Sequence, residues 1–378
     1  MDIPGTPLAR RRTVLAGAGA AVASLAVGTP AQEATAAAGA IPKGLTNRQL
    51  AGQRVIYSYP GHTPPADLLK KISAGEAAGV IFFGENITSE KQIASVIKQL
   101  VKANATSPVQ LPLMLMTDQE GGQLRRLPGA PVLSEKQIGN SAHPLATAKS
   151  AGTGAGQNLA GVGMNVNLAP VLDVYRKAGD FIDRHQRSYG THAAQVGALG
   201  AAFTTAQQHT GVAATAKHFP GLGAATANQN TDAGPVKLSQ SLTVLRTVDE
   251  APYKQAIAAG VKLVMVSWAV YPALDAHHPA GLSATVIQKE LRTRLGFKGV
   301  TVTDALEAGA LGHSYSTGLR AVLAAGAGMD LLLCSARMVS QGEAAVTALT
   351  NALNDGTLGS TAFRAAVSRL TTLRAGLR

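Results

Sequence analysis

Residues 113–122, LMLMTDQEGG, place an uninterrupted apolar run directly before a cluster of polar residues and two glycines. A short apolar run bounded in this way is typical of a strand that is buried on both faces of a parallel sheet. The side chains of Asp118 and Glu120 would then follow the carboxyl end of that strand. The stretch therefore predicts a parallel α/β fold with polar chemistry where strands pass into loops.

Runs of the same kind recur along the chain and alternate with segments of helical spacing. The predicted strands are 54–59, 79–84, 113–117, 165–169, 212–216, 263–267, 300–303 and 329–334. The clearest predicted helices are 65–77, 89–103, 145–161, 192–209, 249–259, 284–295, 317–325, 340–354 and 361–377. Eight such units predict one α/β domain over residues 40–378, a (β/α)8 TIM barrel. The alternative is a doubly wound open sheet, but no GxGxxG motif follows the first strand.

Composition excludes several classes of protein. The chain has 378 residues and is 46% hydrophobic, so global disorder is excluded. Its single cysteine, Cys334, excludes a disulfide scaffold, a Cys-based zinc site and a CxxC redox centre. The sequence contains no HExxH motif and no P-loop, so we expect neither a metal nor a cofactor.

The chain is basic, with a formal net charge of +12. It has no dense Lys/Arg stripe with interleaved aromatic residues, so we expect a solvated basic surface and no nucleic-acid partner. A surface that binds some other polyanion is the alternative, and such binding would collapse with added salt.

The first 39 residues have the pattern of a targeting segment. Arg10, Arg11 and Arg12 precede an apolar stretch that runs through Val27, and small residues follow it up to Ala40. This order of charged, apolar and small residues predicts a cleaved signal peptide over 1–39, and the arginines resemble a twin-arginine signal. The alternative is an N-terminal anchor, but the apolar run is shorter than the ~20 residues that span a bilayer. We therefore expect a secreted protein without a stable membrane anchor.

Polar residues follow several of the predicted strands, and in a barrel those positions meet at one mouth. They are Asp118, Glu120, Asp173, Lys217, His218, Trp268 and Asp304. With Arg187 they would form a charged pocket that suits a neutral polyol, because carboxylates accept hydrogen bonds from hydroxyl groups and lysine donates to them. A carboxylate can also attack an anomeric carbon.

Several of these residues also have ordinary structural interpretations. Asp118 could cap a helix that starts near Glu120, and Asp304 could cap a helix over 305–310. Glu120 could pair with Arg125 or Arg126. Trp268 could belong to the core or form a platform on which a sugar stacks. The adjacent His277 and His278 are expected to be exposed in a loop.

Five ordered motifs resemble glycoside hydrolase family 3, in particular its single-domain bacterial β-N-acetylhexosaminidase branch. They are TDQEGGQLRR at 117–126, NVNLAPVLD at 165–173, RSYG at 187–190, KHFPG at 217–221 and TD at 303–304. The resemblance covers about residues 45–378 and implies a (β/α)8 barrel with a retaining mechanism. It implies that Asp304 is the nucleophile and that Asp118, Arg187, Lys217 and His218 hold sugar hydroxyls. Arg126 matches a further arginine of the first motif.

One loop departs from that branch, which reads KHFPGHGxxxxDSH and uses the final Asp and His as its acid/base pair. Here Leu222 replaces the second histidine, while Asn228 and Asn230 replace the acid/base pair. An amide cannot deliver a proton near neutral pH, so another group must protonate the leaving group. Asp232 is the nearest candidate. The chain also lacks the second domain that supplies a glutamate in the larger glucosidases of the family.

The sequence thus predicts a secreted retaining glycosidase that acts on terminal β-linked sugars, most simply a β-N-acetylglucosaminide. One alternative is a catalytically silent glycan-binding protein on the same barrel, and another is a β-glucosidase-type specificity. The expected partner is a carbohydrate substrate such as a cell-wall glycan, and the expected oligomeric state is a monomer.

Overall fold

The computed structural model of the protein describes residues 41–312 and 315–377. Eight parallel strands close into a barrel in which each strand pairs with its neighbours in the chain and the last pairs with the first. The strands are β1 (Val55–Tyr57), β2 (Gly79–Ile81), β3 (Met114–Thr117), β4 (Val166–Asn167), β5 (Ala213–Phe219), β6 (Leu263–Val266), β7 (Val300–Ala305) and β8 (Leu331–Leu333). The predicted (β/α)8 TIM barrel is confirmed. The predicted signal peptide over 1–39 lies outside the described residues.

The strand ends differ from the prediction where charged residues or prolines stand. β5 was expected to end at residue 216, but it continues through Lys217 and His218 because Phe219 still pairs with Val266 of β6. β4 ends at Asn167, two residues before the predicted end, although the carbonyls of Ala169 and Pro170 still accept hydrogen bonds from β5. Two side chains that the sequence placed in a loop are therefore held on a barrel strand.

Helices follow the strands and cover the outside of the barrel. The α-helices are Asn47–Gly52, Ala66–Ser73, Glu90–Asn104, Glu135–Gly139, Pro144–Val162, Phe181–Arg184, Ala193–Gln208, Leu242–Val244, Ala251–Ala258, Thr317–Ala327, Val339–Asn354 and Ser360–Ala375. Segments Leu245–Asp249 and Thr285–Arg294 wind as π-helix, and Gly84–Asn86, Ala280–Leu282 and Gly309–Leu311 as 3₁₀ turns. Every helix that the spacing predicted is present, with ends shifted by a few residues, although 284–295 takes the wider π-helical form. None of the described helices is both long and apolar enough to cross a membrane.

Ser89 caps the third helix, Glu90–Asn104, from one side only. The hydroxyl of Ser89 accepts a hydrogen bond from the N–H of Gln92 at 3.1 Å. The side chain of Gln92 reaches the N–H of Thr88 rather than that of Ser89, so the reciprocal bond of a capping box is absent.

Two short hairpins extend the upper ends of the strands. Gln119–Gly121 pairs with Leu124–Arg125 after β3, and Val270–Tyr271 pairs with Asp275–Pro279 after β6. His277 and His278 are exposed, as expected, but they belong to the second hairpin rather than to an irregular loop.

The barrel interior is filled by alternate residues of each strand. On β3 these are Met114 and Met116, and on β7 they are Val300 and Val302. The intervening residues of the same strands face the surrounding helices. Two residues further along, the same inward face of β3 and of β7 presents Asp118 and Asp304 above the apolar layers. The strand register thus sets which polar residues enter the mouth of the barrel.

At the opposite end, Asp330 joins β7, β8 and the outer helices. Its carboxylate is fully buried and accepts hydrogen bonds from Arg292, Arg369 and the N–H of Thr301 at 2.6–3.0 Å. Because these partners come from three separate segments, the carboxylate ties the closing strands to their covering helices.

We predict that Asp330→Ala lowers the free energy of unfolding by about 3–5 kcal/mol, because it leaves a largely buried arginine without its counter-charge. Urea denaturation at neutral pH measures the change. The control is Glu90→Ala at an exposed position of the third helix, for which we expect a change within about 0.5 kcal/mol. Equal small losses in both variants would contradict a structural role for Asp330.

Candidate active site

A cavity of about 420 Å³ opens at the carboxyl ends of the barrel strands. Its polar lining includes Asp118, Arg126, Arg187, Lys217, His218, Asn230, Asp232, Asp304, Glu307, Ser335 and Arg337. Apolar residues such as Ile81 and Met265 form its floor. The structure thus brings Asp118, Arg126, Arg187, Lys217, His218, Asp232 and Asp304 together, whereas the predicted pocket residues Glu120, Asp173 and Trp268 do not line the cavity.

The ammonium of Lys217 belongs to the cavity lining, and its side chain is only 2% exposed. It lies 2.6 Å from Asp118 Oδ1 and 2.7 Å from Glu120 Oε1. Burial lowers the pKa of the ammonium, but these two carboxylates outweigh burial and hold that pKa above its ordinary value. Lys217 is therefore a fixed cation at the base of the cavity.

Glu120 connects this lysine to Arg187. The guanidinium of Arg187 donates to both oxygens of Glu120, at 2.9 and 2.8 Å. Burial opposes ionisation of Glu120, but Arg187 and Lys217 together lower its pKa to about 2. The expected pairing of Glu120 with Arg125 or Arg126 is therefore wrong, because the hairpin at 119–125 turns the carboxylate towards β5.

His218 is oriented by a carboxylate behind it. Its Nδ1 lies 2.7 Å from Asp173 Oδ2, and the other oxygen of Asp173 accepts a hydrogen bond from the N–H of Leu222 at 2.6 Å. This leaves Nε2 on the cavity side, 3.4 Å from a nitrogen of Arg187. Asp173 itself is fully buried and does not line the cavity, so it holds His218 rather than contacting a ligand.

Two further carboxyl groups line the cavity, one at the end of a strand and one on a loop. Asp304 lies near the end of β7, where its Oδ1 accepts from the N–H of Ala305 at 2.8 Å. Asp232 lies on the loop 221–234, exposed at the mouth. Although Asp232 as a residue is exposed, desolvation of its carboxyl by the surrounding loops, together with the negative charges of Asp304 and Glu307, raises its pKa to about 6 despite His218 and Arg187. Two carboxyl groups thus lie close together in one cavity, and the pKa of Asp232 is raised towards neutral pH.

The two helix-cap interpretations are wrong. Asp118 is followed by the hairpin at 119–125 and not by a helix. Asp304 lies within β7, and the next helical turn starts only at Gly309. Neither carboxylate is taken up by a helix N-terminus, so both are available to a ligand.

Trp268 does not enter the cavity, contrary to the expectation of a sugar-stacking platform. It is fully buried, and its indole N–H donates to the carbonyl of Ala305 at 2.8 Å. Gly281 packs so closely that a Cβ there would lie 2.4 Å from the ring. Trp268 therefore supports the end of β7 from behind.

Arg126 lines the cavity as expected, and its Nε is buried without a hydrogen-bond partner among the described residues. Its backbone N–H donates to the carbonyl of Asp118, which places it at the end of the hairpin. Unlike Arg187, it has no carboxylate partner within the described part of the chain. Its guanidinium is therefore available to a ligand.

Sequence reasoning missed Glu307 and Arg337. Both oxygens of Glu307 accept hydrogen bonds, from the hydroxyl of Ser335 at 2.7 Å and from the side chain of Gln341 at 3.0 Å. Arg337 lies 4.1 Å above the ring of Phe83 at the rim. The signal that could have found Glu307 is its position directly after β7, on the loop that follows Asp304.

The arrangement separates two kinds of chemistry. Lys217, Arg187 and His218 present donors at the base of the cavity, where they can hold the hydroxyl groups of a polyol. Asp304 offers a carboxylate and Asp232 offers an acid on the other side. An acid and a carboxylate that flank the scissile bond are the two groups that glycoside cleavage requires.

Comparison with known proteins agrees with this geometry. Residues 49–373 match the profile of the glycosyl hydrolase family 3 N-terminal domain. A protein of Arthroderma benhamiae named "uncharacterized secreted glycosyl hydrolase" is 49% identical over 328 residues, which are 86% of this chain and 93% of that protein.

Two solved structures are also similar. The family 3 β-N-acetylglucosaminidase of Paenibacillus sp. is 34% identical with a TM-score of 0.82; the match covers 88% of this chain and 62% of that one. The β-N-acetylhexosaminidase of Beutenbergia cavernae is 31% identical with a TM-score of 0.77, over 86% of this chain and 97% of that one. The chain thus spans about three-fifths of the Paenibacillus enzyme and nearly all of the Beutenbergia enzyme.

We predict that Glu120→Gln lowers the free energy of unfolding by about 3–5 kcal/mol at pH 7, because Lys217 and Arg187 lose a buried counter-charge. The folded pKa of about 2 lies below the ordinary value of 4.5. The advantage of wild type over the variant is therefore complete above pH 4.5 and shrinks as the pH falls towards 2. Denaturant titrations at several pH values measure it.

The matched control is Glu135→Gln. Glu135 is equally buried, but burial raises the pKa of its carboxyl well above the ordinary value, so glutamine closely mimics its neutral form. We expect this variant to be as stable as wild type at low pH and no less stable at pH 7. A loss in Glu135→Gln as large as that in Glu120→Gln would contradict the charge assignment.

Proposed function

The chain belongs to glycosyl hydrolase family 3, and on that premise we propose that it is a retaining β-N-acetylhexosaminidase that removes a terminal β-linked N-acetylglucosamine. The observation that carries the proposal is the cavity in which Asp304 and Asp232 face the Lys217, Arg187 and His218 cluster. Both similar solved enzymes have the N-acetyl specificity in their names. The carbohydrate substrate follows from family membership, and the particular sugar is the proposed part.

In the first step, Asp304 attacks the anomeric carbon of the bound sugar. A carboxylate oxygen forms a bond to that carbon as the bond to the leaving-group oxygen breaks. Asp118, Arg187, Lys217 and His218 hold the hydroxyl groups, while Arg126 supplies a further donor. Water then cleaves the glycosyl-enzyme ester and restores the carboxylate, so the anomeric configuration is retained.

The leaving-group oxygen takes its proton from Asp232. Asn230 lines the cavity but has no ionisable proton, whereas the pKa of Asp232 is raised to about 6. A general acid works best when its pKa lies near the working pH. Asp232 on the family's acid/base loop therefore takes the role that Asn228 and Asn230 have lost.

A silent glycan-binding protein is the second candidate, and the two asparagines favour it because they remove the branch's own proton donors. Hydrolysis assays with aryl β-N-acetylglucosaminides and aryl β-glucosides distinguish the two functions. Turnover of the first supports the proposal, and turnover of only the second indicates β-glucosidase specificity. Micromolar binding of a cell-wall fragment without turnover of either would establish the binding protein.

We further propose that residues 1–39 direct export by the twin-arginine route and that the mature domain, residues 40–378, is a monomer. The secreted relative from Arthroderma benhamiae supports export. Replacing Arg10, Arg11 and Arg12 by lysine should leave the protein inside the cell, and size-exclusion chromatography should give the mass of one chain. Weak binding to anionic polymers that collapses with salt would indicate a solvated basic surface.

We predict that Asp304→Asn reduces turnover to background while the protein stays folded, because an amide cannot form the glycosyl ester. Steady-state hydrolysis of an aryl β-N-acetylglucosaminide measures this, and circular dichroism checks the fold. The exposed Asp67→Asn variant serves as control and should match wild type. A 2-fluoro-glycoside inactivator should label the peptide that contains Asp304; wild-type-like activity of Asp304→Asn would remove it from this role.

We predict that Asp232→Ala lowers kcat/KM by about 10²–10⁴-fold for a substrate with a poor leaving group and spares a dinitrophenyl glycoside, which needs no proton. In wild type, activity on the poor substrate should fall as the pH rises through about 6, because Asp232 must be protonated to act. The variant should lose that pH limb. Equal losses on both substrates would reject Asp232 as the acid.

A further inference from the structure

The loop that carries Asp232 is hydrogen-bonded to the loop that follows the nucleophile strand. The N–H of Gly309 donates to the carbonyl of Asp232 at 2.9 Å, and the N–H of Ala310 donates to the carbonyl of Thr231 at 2.9 Å. Both donors lie in the 3₁₀ turn Gly309–Leu311, shortly after Asp304. We call this pair of backbone hydrogen bonds the latch.

The latch requires a glycine at position 309. A Cβ on Gly309 would lie 2.6 Å from the carbonyl oxygen of Ala233 and 2.9 Å from that of Asp232. Both are backbone atoms, so they cannot rotate away as a flexible side chain could. Any larger residue must push the 231–233 segment away from the turn.

The start of the same loop is fixed to the other side of the barrel. The N–H of Leu222 donates to Asp173, and the carbonyl of Ala225 accepts from the N–H of Phe181 at 3.0 Å. Gly223 packs against the backbone of Val174, where a Cβ would lie 2.2 Å from its carbonyl oxygen. The loop is therefore held at both ends and crosses the mouth between them.

Asn230 also contributes to the position of Asp232. Its side-chain oxygen accepts a hydrogen bond from the backbone N–H of Asp232 at 2.9 Å. Asn230, at the position where the related branch has a proton donor, thus holds the backbone of Asp232. This bond holds the N–H of Asp232, and one of the two latch bonds holds the C=O of the same residue.

We propose that Gly309 is a positioning residue, which through the latch holds the carboxyl of Asp232 at a set distance from the nucleophile Asp304. The proposal rests on the proposed role of Asp232 as the acid. In retaining cleavage the proton moves from Asp232 to the leaving-group oxygen as the bond from Asp304 to the anomeric carbon forms. Both transfers need a defined spacing across the scissile bond, and misplacement by about 1 Å can cost 10²-fold in rate.

The test compares Gly309→Ala with Gly234→Ala. Gly234 lies at the end of the same loop, and a Cβ there meets no atom within 4 Å. We expect Gly309→Ala to lower kcat/KM by about tenfold or more on a poor leaving group and by less than about threefold on a dinitrophenyl glycoside. KM should change little, since the groups that hold the sugar are untouched. Gly234→Ala should match wild type on both substrates.

Hydrogen exchange gives a readout that does not depend on activity. In wild type the amides of Gly309 and Ala310 should be protected, and in Gly309→Ala the amides at both positions should exchange faster. Should Gly309→Ala not fold, Ala310→Pro replaces it. That change removes the N–H that donates to Thr231 and places the proline ring against the same carbonyl, so it should give the same leaving-group-dependent loss.

The outcomes separate the latch from the acid assignment. Suppose that Asp232→Ala loses activity only on the substrate with the poor leaving group, whereas Gly309→Ala and Ala310→Pro lose activity equally on both substrates or on neither. The positioning role is then overturned, and the acid assignment stands. Free exchange of both amides in wild type overturns the latch itself. If Asp232→Ala loses activity equally on both substrates, the acid assignment is rejected, and the positioning role is rejected with it.

Discussion

A buried ammonium group must be matched by carboxylates, because an unpaired charge inside a protein costs several kcal/mol. Lys217 meets this constraint through Asp118 and Glu120, and Glu120 in turn binds Arg187 through both oxygens. The four residues come from three different strand ends, so their pairing fixes the loops relative to one another. The two cations balance the two carboxylates in charge, and the N–H groups that these contacts leave unused can donate to the hydroxyl groups of a sugar.

Along a β-strand every second side chain points to the same face, and much of this arrangement follows from that alternation. Met114, Met116 and Asp118 share one face of β3, and Val300, Val302 and Asp304 share one face of β7. The barrel and most of its cavity residues could therefore be predicted from apolar runs that end in polar residues. The same rule applied to β6 would have placed Trp268 with Val264 and Val266, which face the helices. The expectation that Trp268 stacks on a sugar was based on its residue type and did not consider which face of the strand it occupies.

Other features depend on contacts between distant segments, which no local pattern records. The end of β5 was misplaced because a lysine rarely continues a buried strand, and here it does so only because carboxylates from the β3 loop neutralise it. Asp173 looks in the sequence like a cavity carboxylate, yet it lies behind His218 and holds its ring. Glu307 is held by Ser335 and Gln341 from the following strand and helix. Such partners become visible only when the strands are closed into a barrel.

The proximity of Asp232 to Asp304 also accounts for how one acid can serve both halves of the proposed reaction. In the free enzyme, desolvation and the negative charge of Asp304 raise the pKa of Asp232 to about 6, so it holds a proton below that pH and a minor part of it still does at neutral pH. When Asp304 becomes an ester with the sugar, it is no longer charged, and the pKa of Asp232 falls accordingly. The acid is then readily ionised, which is the state needed to activate water in the second step. The loop that carries Asp232 is hydrogen-bonded to the turn that follows β7, and this contact keeps the two carboxyl groups of the proposed mechanism close together.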